Sequence, residues 1–402
     1  MNNLMNLIGF EYKKIFVRKS FGISFILALS VIILTCAASV LGNSGPDNES
    51  NYEGMKKDRA YVRALSGREL DADLILEAAS AYAAIPASSK RYTDTEEYQL
   101  YARHYSSIYG LMSIYNSAGH DFELTDMQHM TREQALSYYD IRQKKLEQVL
   151  EGLTMNERSK QKLLQMEQRV QKPFILEAVT GYEKYLSLMY TAGLITAFII
   201  AVCLAPIFAG EYTSGADQLI LPSKNGKRSL ITAKILVGLS SAFFLCVIFS
   251  LMVYLGSMII YGFDGFTAQH QVSLPLSPYP LTMGELSFLS FGCVLFGNLL
   301  VSAITMLASA YLNSPFRVIV ATSILIIAPM FIHIPAAYDT LVQLNNLLPT
   351  NMMAIWNITS PNLYEMPGVS MEPYIFMPMF AITAIAMLIP FTYTGFKRHQ
   401  VK

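Results

Sequence analysis

Cysteine is scarce here, and its placement is informative. Among 402 residues only Cys36, Cys203, Cys246 and Cys293 occur, all inside apolar stretches. The long polar segment between residues 42 and 185 therefore has no disulfide framework and must be held by helix packing. No Gly-x4-Gly-Lys-Ser/Thr phosphate loop is present, so the chain does not bind and hydrolyse ATP in the usual way. No His-Glu-x-x-His or Cys-x-x-Cys pair occurs, and the six histidines have no ligand spacing, which removes zinc chemistry. Charged residues make up only 15% of the chain, and several long stretches contain none. A cation channel or proton-coupled carrier places carboxylates at membrane depth, so both classes lose support. An intramembrane enzyme would need a catalytic constellation, and none is visible.

What the chain has in quantity is apolar length. Six stretches are long enough to enter a bilayer: Phe21–Leu41, Leu186–Gly210, Ile235–Phe263, Leu286–Leu312, Val318–Ile334 and Tyr374–Gly395. A hydrocarbon core of about 30 Å needs roughly 20 helical residues. The first stretch is too long for a signal-peptide core and no small-residue cleavage pattern follows it, so it reads as an uncleaved anchor. Lys and Arg set the orientation. Residues 1–20 carry four against one acidic residue, residues 396–402 carry three against none, and residues 262–285 and 335–374 carry none. Six spans with both termini cytoplasmic satisfy this asymmetry. The fold expected is an all-α polytopic membrane protein with six transmembrane helices, multi-pass in the cell membrane.

Two polar parts complete the plan. Residues 1–20 place Leu4, Leu7, Ile8, Glu11, Lys14, Ile15 and Arg18 at helical spacing, a basic amphipathic helix suited to the cytoplasmic membrane surface. Residues 42–185 form an extracellular helical domain, its first ten residues a linker. Capping boxes at Ser66-x-x-Glu69, Thr93-x-x-Glu96, Thr131-x-x-Gln134 and Thr154-x-x-Glu157 predict helices near 67–85, 94–118, 132–151 and 155–185. The last two pair as a hairpin about Gly152, and the final one runs on toward the membrane with a bend at Pro173. A row of tyrosines on the second helix, Tyr98, Tyr101, Tyr105 and Tyr109, serves either as hairpin core or as a substrate-contacting surface. Segment 335–358, with Leu341, Leu344, Leu347, Leu348 and Trp356, is too apolar for a solvated loop and reads as short re-entrant helices at the outer leaflet.

Between the second and third spans lies the polar loop 211–234. It carries Lys224, Lys227, Arg228 and Lys234 against only Glu211 and Asp217, which makes it cytoplasmic. Glu211 follows a membrane helix, Gly215 comes four residues on, then the turn Leu219-Ile220-Leu221, the basic cluster, and Lys234 opening the next helix. Thr213 is placed to cap a short helix running through about Leu221. This arrangement resembles the second-to-third helix loop of type-2 ABC transporter permeases, the membrane subunits of bacterial ABC exporters, and the resemblance covers residues 1–41 and 186–402. It implies an N-terminal elbow helix, ABC ATPase subunits as partners, a second permease copy or related permease making a dimer, and no cofactor in this chain, ATP and Mg being bound by the ATPase. It also implies that Glu211, Thr213, Gly215, Leu219, Ile220, Leu221, Lys227 and Arg228 form the ATPase-coupling element, with Glu211 paired to a base of the ATPase or of the elbow helix. The substrate implied is hydrophobic or amphipathic: a peptide, an antimicrobial compound or a lipid. The alternative is a membrane sensor or scaffold that binds a signal through its extracellular domain without transport. Nothing suggests nucleic acid.

Overall fold

The structure, a computed structural model, describes residues 2–45, 48–86, 91–117, 119–220, 226–335 and 338–398, with the backbone alone at 2, 3, 220, 226 and 227. Most of it is helix. Helix α1 (Asn2–Phe16) lies before α2 (Lys19–Ala37); α10 (Thr180–Leu204) continues into α11 (Pro206–Ser214) and the short α12 (Asp217–Ile220); α13 (Ile231–Tyr261) and α14 (Met283–Tyr311) follow; α19 (Pro373–Lys397) closes the chain. Five of these units are long and apolar enough to cross a membrane: Lys19–Val40, Thr180–Ser214, Arg228–Tyr261, Met283–Tyr311 and Pro373–Lys397. The remaining expected span is shorter. Helix α15 (Pro315–Ile327) tightens into a 3-10 turn at Ala328–Phe331, where Pro329 removes a backbone donor.

The bundle is arranged around α10, whose apolar window is the most buried of the five. It packs on α13, α14, α2 and α15, and α19 packs along α14. Close approach of α13 and α14 depends on Gly238, because the Met306 sulfur occupies the place a β-carbon would take there. Short helices α16 (Asp339–Asn346), α17 (Pro349–Met352) and α18 (Ile355–Ile358) cap one end of the bundle. Their free backbone groups are taken locally, Asn351 Nδ2 donating to Asn345 O and Asn357 Nδ2 to Asn351 O, both at 2.9 Å, while Thr350 Oγ1 ties α17 to Ile326 O of α15 at 2.8 Å. A two-stranded hairpin, β1 (Tyr364–Met366) with β2 (Val369–Met371), precedes α19.

The insert between α2 and α10 folds differently from the four-helix expectation. Its first helix, α3 (Asn51–Ala64), begins where a linker was expected, with Ser50 accepting the Glu53 N–H. Helix α4 (Ala72–Ala83) is capped by Asp71 and not by Ser66. The 94–118 helix is broken: Thr95, not Thr93, accepts the Tyr98 N–H, and a π-helical turn at Tyr98–Ala102 leads through one 3-10 turn at Arg103–Tyr105 to α5 (Ser106–Leu111). After α6 (Leu124–Gln128), the box at Thr131 and Gln134 forms as expected and starts α7 (Arg132–Leu136), which passes into α8 (Tyr138–Glu151). Asn156, not Thr154, caps α9 (Glu157–Glu167). That helix does not run on toward α10. Residues after it turn extended and pair with the stretch before α4: Leu70 N–H with Phe174 O at 2.8 Å, Leu176 N–H with Arg68 O at 2.9 Å. The helix ends at Glu167, and Pro173, which cannot donate and disfavours helix in the residue before it, keeps the following stretch from resuming it.

The insert is bolted to the loops at one end of the bundle. Arg142, fully buried, makes a two-pronged ion pair with Glu167 and donates to the carbonyls of Pro275 and Ser277 in the α13–α14 loop. Lys172 adds a 2.7 Å contact to the same glutamate. On the other side of the α8–α9 pair, Ser159 Oγ meets Glu365 and Ser370 at 2.7 Å and Lys162 meets Glu372 at 2.7 Å. Arg63 and Arg59 hold Asp264 at 2.6 and 3.2 Å.

Candidate functional site

At the other end of α10, the chain is interrupted by Pro206. The N–H groups of Phe208 and Ala209 have no partner within the helix, and both donate to Ser309 Oγ of α14 at 3.0 Å, while Ser309 donates to Ala205 O at 2.7 Å. The break is thereby satisfied and α11 is fixed against α14. Tyr212 strengthens that attachment: its hydroxyl donates to Ala310 O at 2.8 Å and its ring stacks on Phe396 at 5.6 Å.

This places Glu211 on the inner face of α11, where three other charges converge. Lys234 Nζ, 1% exposed at its side chain, lies 2.7 Å from Glu211 Oε1 and 2.9 Å from Glu11 Oε2. Its third donor goes to Ile207 O at 2.8 Å. Lys14 Nζ contacts Glu211 at 2.8 Å and Glu11 at 3.3 Å. Two cations and two carboxylates thus form a closed neutral group that joins the N-terminal helix, α11 and the first turn of α13. Burial alone would lower the Lys14 pKa; hydrogen bonding to Glu211 and the charges of Glu11 and Glu211 outweigh it and raise the pKa above the ordinary lysine value. The group holds because all three Lys234 ammonium protons and both carboxylates have partners, while Lys14 closes it from the solvent side, and loss of one member leaves an uncompensated charge.

Past Glu211 the helix ends at Gly215, in the left-handed region at φ +68°. A β-carbon would be strained there; glycine permits the turn, and Ala216 N–H bonds back to Glu211 O at 3.0 Å. Four residues of α12 follow. Leu219 is 81% exposed while Asp217 is buried. Thr213 does not cap α12. It sits inside α11 with its hydroxyl donating to Gly210 O at 3.1 Å, because the helix begins at Pro206 and is still running at that point. Arg228 is exposed beside α13. Leu221 and the side chains of Ile220 and Lys227 lie outside the described residues.

Of the tyrosines singled out in the sequence, Tyr98 and Tyr109 are packing residues. Tyr109 stacks on Tyr82 with centroids 5.0 Å apart, and Tyr98 meets the edges of Tyr82 and Tyr92. Burial pushes the Tyr98 and Tyr109 hydroxyls up to about 12. Tyr101 and Tyr105 instead border an open groove of about 610 Å³ with Tyr61, His104 and Leu100. The Tyr105 hydroxyl donates to Glu77 at 2.6 Å. Among the described residues no group of three metal-ligating side chains is assembled.

A comparison with known families decides the class. The sequence model described as "ABC-2 family transporter protein" matches residues 19–394. The chain belongs to the ABC-2 transporter family. As a member it is the membrane permease subunit of an ABC transporter, a class that works with an ABC ATPase, and the multi-pass apolar helices agree with that role. No curated protein matches the permease closely enough to add a nearer relative.

Glu11 is the member of the buried group that sequence reading passed over, and the signal for it is present. It falls on the same helical face as Leu4, Leu7, Ile8 and Ile15. A carboxylate on the apolar stripe of an amphipathic helix must meet a cation, and Lys234, followed by a charge-free span, is the natural partner.

Proposed function

We propose that the permease couples to its ATPase through the segment from Glu211 to Lys234 and exports a hydrophobic or amphipathic substrate, its termini cytoplasmic and its insert outside. The observation that carries this reading is the Glu11–Lys14–Glu211–Lys234 group. A push on α12 reaches α11 directly and, through these four charges, reaches both α1 and α13. A contact on one short exposed element thereby acts on three membrane-linked elements together. Leu219 and Arg228 are the described side chains available to an ATPase groove; Ile220, Leu221 and Lys227 belong to the same segment. Glu211 and Gly215 set the angle at which it is presented, and Thr213 lies within the helix that supports it. Tyr101 and Tyr105, on the open groove of the insert, are the residues assigned to substrate contact, with Tyr98 and Tyr109 supporting them from behind. A second permease copy completes the transporter.

The test is substrate-stimulated ATP hydrolysis by the reconstituted permease and ATPase. Allosteric coupling is typically about 1–3 kcal/mol, so Leu219→Ser is expected to reduce stimulation roughly five-fold or more with the permease still inserted. Leu219 is solvent-exposed, so folding is not at stake. Full stimulation and transport by this variant and by Glu211→Ala would remove the segment from the coupling path.

A further inference from the structure

Where the insert meets the bundle there is a chamber of about 440 Å³. Its floor is the junction of three spans: Ser39 just past α2, Thr180 and Lys184 at the start of α10, and Tyr261 at the end of α13. Its wall is α3 with the stretches on either side of the π-helical turn, which bring Asp58, Arg59, Arg91 and Arg103. Most of these charges are committed. Arg103 donates to Asp58 at 2.6 Å, Glu49 at 3.1 Å, Gln99 at 2.7 Å and the Gly54 carbonyl at 2.9 Å. Arg91 pairs with Asp94 at 3.1 Å.

Two cationic donors are left over. Arg59 lines the chamber and gives one Nη to Asp264, its Nε being shut off against the Gly262 backbone. Lys184 pairs with no carboxylate among the described residues; its ammonium stands over the Tyr261 ring, 5.5 Å from the centroid. Thr180 opens α10, and its N-cap residue Val179 supplies no side-chain acceptor to the free N–H groups of that first turn. Cationic N–H donors, a hydroxyl and unsatisfied helix N–H groups around one space favour an oxyanion. The chamber floor is level with the ends of apolar spans, and beside it α2 exposes Ile33 at 55%, Leu34 at 58% and, just beyond, Leu41 at 56%. An anion that reaches this place with an apolar part lying on that surface is an amphipath of the adjoining leaflet.

We propose that this chamber is a phospholipid site: the phosphate of the headgroup is held by Lys184 and Thr180 with the Arg59 guanidinium beside them, and an acyl chain lies along Leu34 and Leu41 of the α2 segment. The site is independent of the coupling segment, which is at the opposite end of α10, and its failure would leave the coupling reading untouched.

The test uses the full-length permease in neutral detergent, with phosphatidylglycerol added in mixed micelles and the thermal unfolding midpoint followed. Expected is a saturable upward shift that diacylglycerol, lacking the phosphate, does not give. Lys184→Gln should weaken the apparent affinity roughly ten-fold, the scale of one charge-assisted hydrogen bond, whereas Lys184→Arg and the distant, exposed Lys144→Gln retain it. A photoreactive phosphatidylglycerol on the unaltered protein should label peptides spanning residues 36–45 and 178–190, a readout that needs no variant. Undiminished binding by Lys184→Gln, or labelling confined to other peptides, would overturn the site. Saturation of the shift by millimolar inorganic phosphate would overturn the lipid as the source of the phosphate.

Discussion

Single residues in this permease carry strong physical commitments. His270, in the loop joining α13 to α14, is wholly buried; its Nδ1 lies 3.0 Å from Leu281 O and its Nε2 has no partner among the described residues. Burial pushes its pKa down to about 4, the Arg142 charge adds to the effect, and the Leu281 hydrogen bond opposes it. In an unfolded chain the imidazole titrates near 6.5. Between those values the unfolded state binds the extra proton. Stability is therefore complete above pH ~6.5 and is lost as pH falls toward 4, by about 1.4 kcal/mol per pH unit. Glu49, its pKa lowered chiefly by the Lys57 hydrogen bond, and Glu77, lowered chiefly by Arg68, act in the same direction below the ordinary carboxylate range. Thermal unfolding measured from pH 7 to 4 should show this slope, and His270→Gln should flatten it above pH ~4.5. An unchanged profile in the variant would mean that the loop opens to water before the histidine titrates. Lys234 has the opposite kind of commitment. Replacing it with Met leaves Glu11 and Glu211 buried with only Lys14 between them, and a loss of about 3–5 kcal/mol in unfolding free energy is expected.

At the scale of elements, the legible parts are those where local chemistry has no competitor. Charge-free lengths mark the long spans, and the capping box at Thr131 forms as written, since nothing nearby offers the N–H groups a better acceptor. Other boxes failed because a neighbour outcompeted them. Asp71 accepts Leu74 N–H, leaving Ser66 outside the helix, and Asn156 replaces Thr154 for the same reason. Helix α3 was missed because its face carries few apolar residues; its order comes from Arg59, Arg63 and Arg103, whose partners lie 45 to 205 residues away in sequence. In the candidate site, Glu211, Gly215 and Lys234 were readable from spacing, whereas the meeting of Glu11 with Lys234 depends on how α1 lies against α13. Long-range pairs of this kind also fasten the insert. Arg142→Met should free the α13–α14 loop, because it leaves Glu167 with Lys172 alone, strips the Pro275 carbonyl of its donor and leaves that of Ser277 with Gln271 only. Hydrogen exchange in residues 262–282 should rise with the bundle unaffected. Adding Glu167→Leu should recover much of the roughly 3–5 kcal/mol lost, since removing both charges costs less than removing one. Failure of the second change to restore protection would place the fastening elsewhere, on the Glu365 side of the α8–α9 pair.

For the whole molecule, the question with the most consequences is which end of α10 faces the cytoplasm. The insert gathers at the end where the α13–α14 loop, α16 and the β1–β2 hairpin meet, and the chain there, residues 262–285 and 335–374, contains no Lys or Arg. The opposite end holds α1, the coupling segment and the C-terminal Lys397 and Arg398. Both sets of loops are short enough for the excess of Lys and Arg to count, and on that asymmetry we propose that the insert lies outside. Ser66 and Ser214 are exposed residues at the two ends. All four native cysteines are buried, so a background in which they are replaced is needed mainly for clean signal. A single cysteine at Ser66 should react with a membrane-impermeant maleimide in intact cells, and one at Ser214 only after permeabilisation. The reverse pattern would turn the molecule over. Leu219 and Arg228 would then face away from any cytoplasmic ATPase, and the coupling role would have to pass to the loops that now hold the insert.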